Sequence, residues 1–136
     1  MAVGRVLVAD DETHIVQVLA LKFRNAGLEV IEARDGEEAL ALVHSESPDV
    51  VVTDLQMPFM DGAALAAAMA EDPSTAQIPV LVLTARGWSM DGALETLPNV
   101  RGIEAKPFSP RALLQRVQGL IKETRSQGAS GDRAAA

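Results

Sequence analysis

Short apolar runs alternate with amphipathic stretches along the chain. Arg5–Ala9, Val50–Thr53 and Val80–Thr84 are apolar or β-branched almost without interruption, the signature of strands buried on both faces of a sheet. Leu28–Glu32 and Val100–Ala105 are weaker versions of that pattern, as expected nearer a sheet edge. Between the runs, apolar residues recur at helical spacing. Ile15, Val18, Leu19, Phe23 and Ala26 form a first stripe, and Ala39, Leu40 and Val43 a second. Leu65, Ala68 and Met69 form a third, Met90, Ala93, Leu94 and Leu97 a fourth, and Leu113, Val117, Leu120 and Ile121 a fifth. Gly27, Gly36, Pro48, Pro73, Pro79, Pro98 and Pro110 fall mainly at the boundaries, where they interrupt regular structure or start it. Five strands, each followed by a helix, predict an α/β fold with a doubly wound five-stranded parallel sheet, because each right-handed crossover must cover a sheet face. From Glu123 onward, ETRSQGASGDRAAA has no large apolar residue. The expected organisation is therefore one domain over residues 1–122 and a flexible tail over 123–136.

Composition narrows the class. A chain of 136 residues is about one ordinary domain. Aromatics are only 3%, so the core is expected to be Val, Leu, Ile and Ala. The absence of Cys excludes a disulfide scaffold, a thiolate metal site and cysteine catalysis. A net charge of −7 argues against the bulk surface binding a phosphate backbone, so no direct nucleic-acid partner is expected. No apolar run approaches a membrane span. Val6-Leu7-Val8-Ala9 stops at Asp10 and Asp11, too soon for a signal peptide. A cytoplasmic domain without a membrane partner is expected.

In a sheet of this kind, function sits at the carboxyl ends of the strands. The first strand delivers Asp10 and Asp11 there, the third Asp54, the fourth Thr84, and the fifth ends at Lys106-Pro107. An Asp after a strand is usually a turn former or helix cap, but turns alone do not require both signs of charge and a hydroxyl together. Three unpaired carboxylates would repel one another until one took up a proton. A hard divalent cation removes that conflict, and Mg²⁺ suits a site of few carboxylates completed by water. Three Asp give −3, Mg²⁺ +2 and Lys106 +1, so the loaded site is near neutral. A phosphoryl group on one carboxylate changes that sum by roughly −1, and Thr84, Lys106 and the metal suit the new oxygens. An aspartyl-phosphate is a recognised covalent intermediate. Charge alone leaves open which Asp is the nucleophile.

VLVADDE at 6–12, EARDGEEAL at 32–40, PDVVVTDLQMPFMDG at 48–62, VLVLTA at 80–85 and KPF at 106–108 resemble the receiver domain of two-component response regulators. The resemblance covers about residues 4–122, with all five segments in order and at matching spacing. It implies a flavodoxin-like receiver fold with strand order 2-1-3-4-5. It also implies a phosphorelay role rather than conventional enzymology. Asp54 would be the phosphoacceptor, served by a sensor histidine kinase or a histidine phosphotransfer protein. Asp11 would bind Mg²⁺ directly, Asp10 mainly through water, and the Gln56 backbone carbonyl would be a further ligand. Thr84 would donate its hydroxyl to the phosphoryl group and Lys106 would pair with it. A cis peptide before Pro107 is implied too. Met57, Pro58, Asp61 and Gly62 fit the loop and helix start after the acceptor, as ordinary turn chemistry.

Two departures from the family pattern matter. Ile103 stands three residues before Lys106, where the family usually has Tyr or Phe. Gln56 and Arg86 occupy the positions that tune phosphorylation and dephosphorylation rates in the family. Trp88, four residues after Thr84, is a candidate reporter of the switch, and His14 and His44 read as helix-surface residues. A phosphohydrolase of the haloacid dehalogenase type would need a second acid at position 56, and a flavin binder would need a phosphate loop where DDET stands. A receiver that is never phosphorylated is the third alternative, with Ile103 in its favour and the complete Asp10/Asp11/Asp54/Thr84/Lys106 set against it. With no effector domain among these residues, output is expected through a downstream protein or self-association over residues 89–121, the fourth helix, fifth strand and fifth helix.

Overall fold

The computed structural model describes residues 4–85 and 94–135, from residue 125 onward as backbone alone. Among them are strands β1 (Arg5–Ala9), β2 (Glu29–Ala33), β3 (Val50–Asp54), β4 (Val80–Thr84) and β5 (Val100–Ala105), and helices α1 (Thr13–Asn25), α2 (Gly36–Glu46), α3 (Gly62–Glu71) and α4 (Pro110–Ala135). All pairings are parallel, as the strand pattern predicts, and the order is β2-β1-β3-β4-β5, as the resemblance implies. The three continuous apolar runs are the three inner strands, and the two weaker runs are the edges.

Alternation along the strands splits the core into two layers. Val6, Val8, Val50, Val52, Leu81 and Leu83 meet Leu19 and Phe23 of α1 and Leu113 and Val117 of α4. Leu7, Ala9, Val51 and Val82 face the other way, onto Ala39 and Val43 of α2 and Leu65 and Met69 of α3. The alanines predicted for the core lie largely in this second layer, where Ala9, Ala33, Ala39 and Ala66 let two helices approach closely.

Two stripes are rotated from the sequence reading. In α1 the buried face is Val16, Leu19, Ala20 and Phe23, and Val18 is exposed. In α3 it is Leu65, Ala66 and Met69, while Ala68 is only half-buried. In both, an excess of apolar positions supports more than one helical face, and packing selects between them. Met90 and Ala93 of the fourth stripe lie outside the described residues. Leu94 of that stripe is buried at the start of a 3-10 turn, Leu94–Thr96. The backbone of residues 123–135, where composition predicts a flexible tail, continues α4; helical hydrogen bonds are local and can extend a helix beyond the stretch that faces a core.

Local chemistry sets the helix ends. Leu28 N–H donates to the Phe23 carbonyl and Gly27 N–H to that of Arg24, the Schellman pattern, with Gly27 at φ 91 in the conformation that favours glycine. Asp35 caps α2 by accepting from Glu38 N–H.

Candidate functional site

Register brings the polar residues to one edge. Ala9 pairs with Thr53, Asp54 with Leu83, and Thr84 with Ala105, so Asp10, Asp54, Thr84 and Lys106 leave their strands at a common level. Backbone bonds fix them there: Asp10 N–H donates to Ala33 O (3.1 Å), Leu55 N–H to Leu83 O (2.8 Å) and Lys106 N–H to Thr84 O (2.8 Å). The Lys106–Pro107 peptide is cis, as the resemblance implies.

Asp10, Asp11 and Asp54 each offer a carboxylate oxygen, and the three oxygens lie within 4.8 Å of one another. Asp10 and Asp54 are buried and Asp11 is exposed. Lys106 Nζ lies 3.2 Å from Asp54 Oδ1, 3.4 Å from Asp10 Oδ2 and 3.5 Å from Glu12 Oε1. Asp10 Oδ1 also accepts from Glu12 N–H (2.9 Å), and Asp54 Oδ1 from Leu55 N–H (3.0 Å). Thr84 is buried at the end of β4, and Gln56 is exposed in the loop after β3.

The electrostatics are those of a site short of positive charge. Burial pushes the Asp10 carboxyl up to about 6; the Glu12 N–H pulls against this, the Asp54 charge adds to it, and Lys106 opposes it. Burial likewise raises Asp54 above its usual value, with Lys106 opposing. For Lys106, burial disfavours the charged form, yet Asp10, Asp54 and Glu12 together hold its pKa above the usual value. One ammonium shared among three carboxylates leaves two of the negative charges uncompensated. Close hard oxygens with excess negative charge fit a divalent cation of the Mg²⁺ kind.

The loop residues behave as turn chemistry with one addition. Asp61 caps α3, accepting from Ala64 N–H at 2.7 Å. A Cβ on Gly62 would lie 2.5 Å from the Asp54 carbonyl oxygen, so glycine is what lets α3 begin directly against the end of β3. Sequence reasoning missed Glu12 as the third partner of Lys106, although it directly follows the Asp pair. It also missed Phe59, which has φ 69 and is 82% exposed. His14 and His44 are on exposed helix surface as read, though each has an acidic neighbour at 3.6 Å, Glu12 and Asp72 respectively. Ile103 is partly exposed on the edge strand. Arg86 and Trp88 lie outside the described residues. Beside the site, Ile15, Val18, Lys106, Pro107, Phe108 and Pro110 line a groove of about 470 Å³.

A doubly wound α/β domain with an acidic, lysine-bridged centre at the carboxyl ends of its strands is the class that fold and site define. The family model of the response regulator receiver domain matches residues 6–118, and the chain belongs to that family. It is 34% identical over 120 residues to the alkaline phosphatase synthesis transcriptional regulatory protein PhoP of Bacillus subtilis, a match covering 88% of this chain and 49% of that one. Among solved structures, a Francisella response regulator receiver domain is similar at TM-score 0.80 and 34% identity, covering 89% of this chain and 98% of that one. The chemotaxis response regulator CheY4 of Vibrio cholerae is similar at TM-score 0.78 and 31% identity, covering 86% and 98%. The chain spans about half the length of the curated relatives it matches. The function is therefore that of a phosphorelay receiver. Receiver domains are generally not classical enzymes, use Mg²⁺, and interact with histidine kinases or phosphotransfer proteins. No helix among the described residues is long and apolar enough to cross a membrane.

Proposed function

We propose that Asp54 accepts a phosphoryl group from a protein phosphohistidine. The observation that carries this reading is the convergence of Asp10, Asp11 and Lys106 on Asp54, with carboxylate oxygens within 4.8 Å and the ammonium at 3.2 Å. An Asp54 oxygen attacks phosphorus, the N–P bond breaks, and the leaving imidazole recovers its lone pair and takes up a proton. Asp10, Asp11, Asp54 and the Gln56 carbonyl would hold Mg²⁺. The metal would supply charge neutralisation for the donor phosphoryl oxygens. Lys106, freed from part of its share of Asp54, pairs with an oxygen of the product, and the Thr84 hydroxyl donates to another. Water attack on the acyl phosphate returns free Asp54 and inorganic phosphate. Burial on the site's floor keeps Asp54 away from bulk water until the donor arrives.

The test is intact mass after incubation with phosphoramidate and Mg²⁺. Wild type should gain one phosphoryl mass and Asp54→Asn none; full labelling of Asp54→Asn would overturn the assignment. Asp11→Asn should weaken Mg²⁺ binding well beyond what one surface charge accounts for.

Output is proposed to run through protein contact over residues 89–121, of which 94–121 are described, in a cytoplasmic setting. Ile103 lacks the hydroxyl and area of an aromatic switch residue, so phosphorylation should shift partner affinity or self-association modestly, by about 1–3 kcal/mol. Dimerisation measured with and without beryllofluoride tests this, and tight duplex DNA binding at physiological salt would contradict it.

A further inference from the structure

The segment between β3 and α3 leaves from Leu55, next to Asp54, and returns at Gly62, close against the Asp54 carbonyl. Leu55 N–H donates to Leu83 O at 2.8 Å, and Gly62 N–H returns to Leu55 O at 2.7 Å. The Met60 backbone packs against Gly36, and Asp61 caps α3. At the crest, Met60 N–H donates to Pro58 O at 2.8 Å, closing a γ-turn whose central residue is Phe59 at φ 69. This left-handed conformation is uncommon for a bulky residue and is met without strain by glycine. Phe59 is nevertheless 82% exposed, so internal packing does not compensate for its backbone. A pinned loop thus holds a large apolar side chain outward, under strain, at the edge that carries Asp54.

We propose that Phe59 is a specificity-determining contact for the histidine-bearing phosphodonor protein, seated in an apolar pocket of the donor surface during transfer. The proposal rests on the phosphorelay reading above. Asp54 and Thr84 are only 6% and 7% exposed, so a phosphoimidazole must enter a recess, and the protein surface around it must close over the rim. Loop 55–61 is part of that rim because it leaves directly after Asp54 and closes back beside it at Gly62. The groove at Ile15, Val18, Pro107 and Phe108 lies on the α1–α4 side of the site, and Phe59 lies on the α2–α3 side. A donor element carrying its histidine to Asp54 between them meets an apolar contact on both flanks. A small phosphodonor enters the recess without covering the rim and does not need Phe59.

The experiment compares two donors on wild type, Phe59→Ala, Phe59→Gly and Phe59→Leu. One donor is phosphoramidate with Mg²⁺. The other is the fastest donor to wild type among autophosphorylated sensor kinases and phosphotransfer proteins from the same genome. Alanine and glycine should each reduce protein-donor kcat/KM by about 10- to 100-fold, the range of a central aromatic anchor. The loss should be carried in KM, leucine should restore most of it, and phosphoramidate labelling should stay within about twofold, since that route makes no rim contact. Unchanged protein transfer in Phe59→Ala overturns the proposal. Equal loss with both donors also overturns it, because Phe59 would then act on the Asp54 site itself. Labelling of wild type by phosphoramidate but by no protein donor removes the proposed occupant and overturns it as well. Failure of phosphoramidate to label wild type overturns the phosphorelay reading, and the proposal with it.

Discussion

Replacing Asp10 with asparagine should stabilise the metal-free domain at neutral pH, an uncommon direction for a fully buried substitution. Burial lifts the Asp10 carboxyl from 3.8 to about 6, so at pH 7 its charge destabilises the fold by about 3 kcal/mol relative to the unfolded chain. Because the folded value is the higher one, the folded state binds more protons between the two values. Stability is greatest below the unfolded value and is lost as pH rises through about 6. Between pH 5 and pH 7 the loss from Asp10 alone is about 1 kcal/mol, and Asp54, shifted in the same direction, adds to it. Asp72 is held below 3.8 by the backbone N–H and hydroxyl of Ser74, so its contribution is lost only at pH lower still, outside this window. The value of about 6 already contains the opposing pull of Lys106 at 3.4 Å; asparagine still carries the cost of burying a polar amide, which reduces the net gain to about 1–2 kcal/mol. Urea unfolding in EDTA measures both effects: wild type should be more stable at pH 5 than at pH 7, and Asp10→Asn should raise the pH 7 midpoint and flatten the pH dependence. Added Mg²⁺ should stabilise wild type by mass action and the variant less. A wild type that gains stability from pH 5 to pH 7, or an Asp10→Asn less stable than wild type in EDTA at pH 7, would refute the reasoning.

Gly62→Ala should destabilise by about 1–3 kcal/mol in thermal melts and slow phosphoramidate labelling, since its Cβ would meet the Asp54 carbonyl oxygen at 2.5 Å. Leu113→Ala, truncating a buried contact between α4 and the sheet, should cost about 2–5 kcal/mol in urea unfolding while leaving the site charges in place. Gly27→Ala should cost about 1 kcal/mol, because the residue sits at φ 91; an unchanged melting temperature would contradict that.

Much of the architecture is legible because burial on two faces leaves a strong one-dimensional trace. Val50–Val52 and Val80–Leu83 have no exposed face to record, so their sequence is continuous and their place at the sheet centre follows. The site is legible for a related reason: in a parallel sheet every strand discharges at the same edge, so residues that follow strands become neighbours without any knowledge of contacts. What stays hidden depends on competition between equivalent choices. Val18 and Ala68 are as apolar as their neighbours Val16 and Ala66, and helix rotation against the sheet decides which are buried. Glu12 is invisible as a partner of Lys106 because their proximity arises from two loops at opposite ends of the chain, 94 positions apart. Phe59 carries no sequence signal at all, since its φ of 69 comes from closure of the loop between Pro58 and Met60.

The charge imbalance that makes the domain less stable is also what makes it responsive. A site neutralised by its own lysines would gain little from a cation and would resist the further negative charge of a phosphoryl group. Here a single ammonium, 21% exposed, is divided among Asp54, Asp10 and Glu12, so a ligand that draws charge from one of them is expected to redistribute the Lys106 contacts. Lys106 is bonded through its backbone to Thr84, and β5 immediately precedes it, with Ile103 at the outer surface. On the proposed reading, phosphorylation of Asp54 is expected to reach the edge strand through the β4–β5 backbone, a route that needs no swinging aromatic. Restoring an aromatic with Ile103→Tyr should enlarge the beryllofluoride-induced change in self-association; an identical response in the two proteins would show that the side chain at 103 has no part in the coupling.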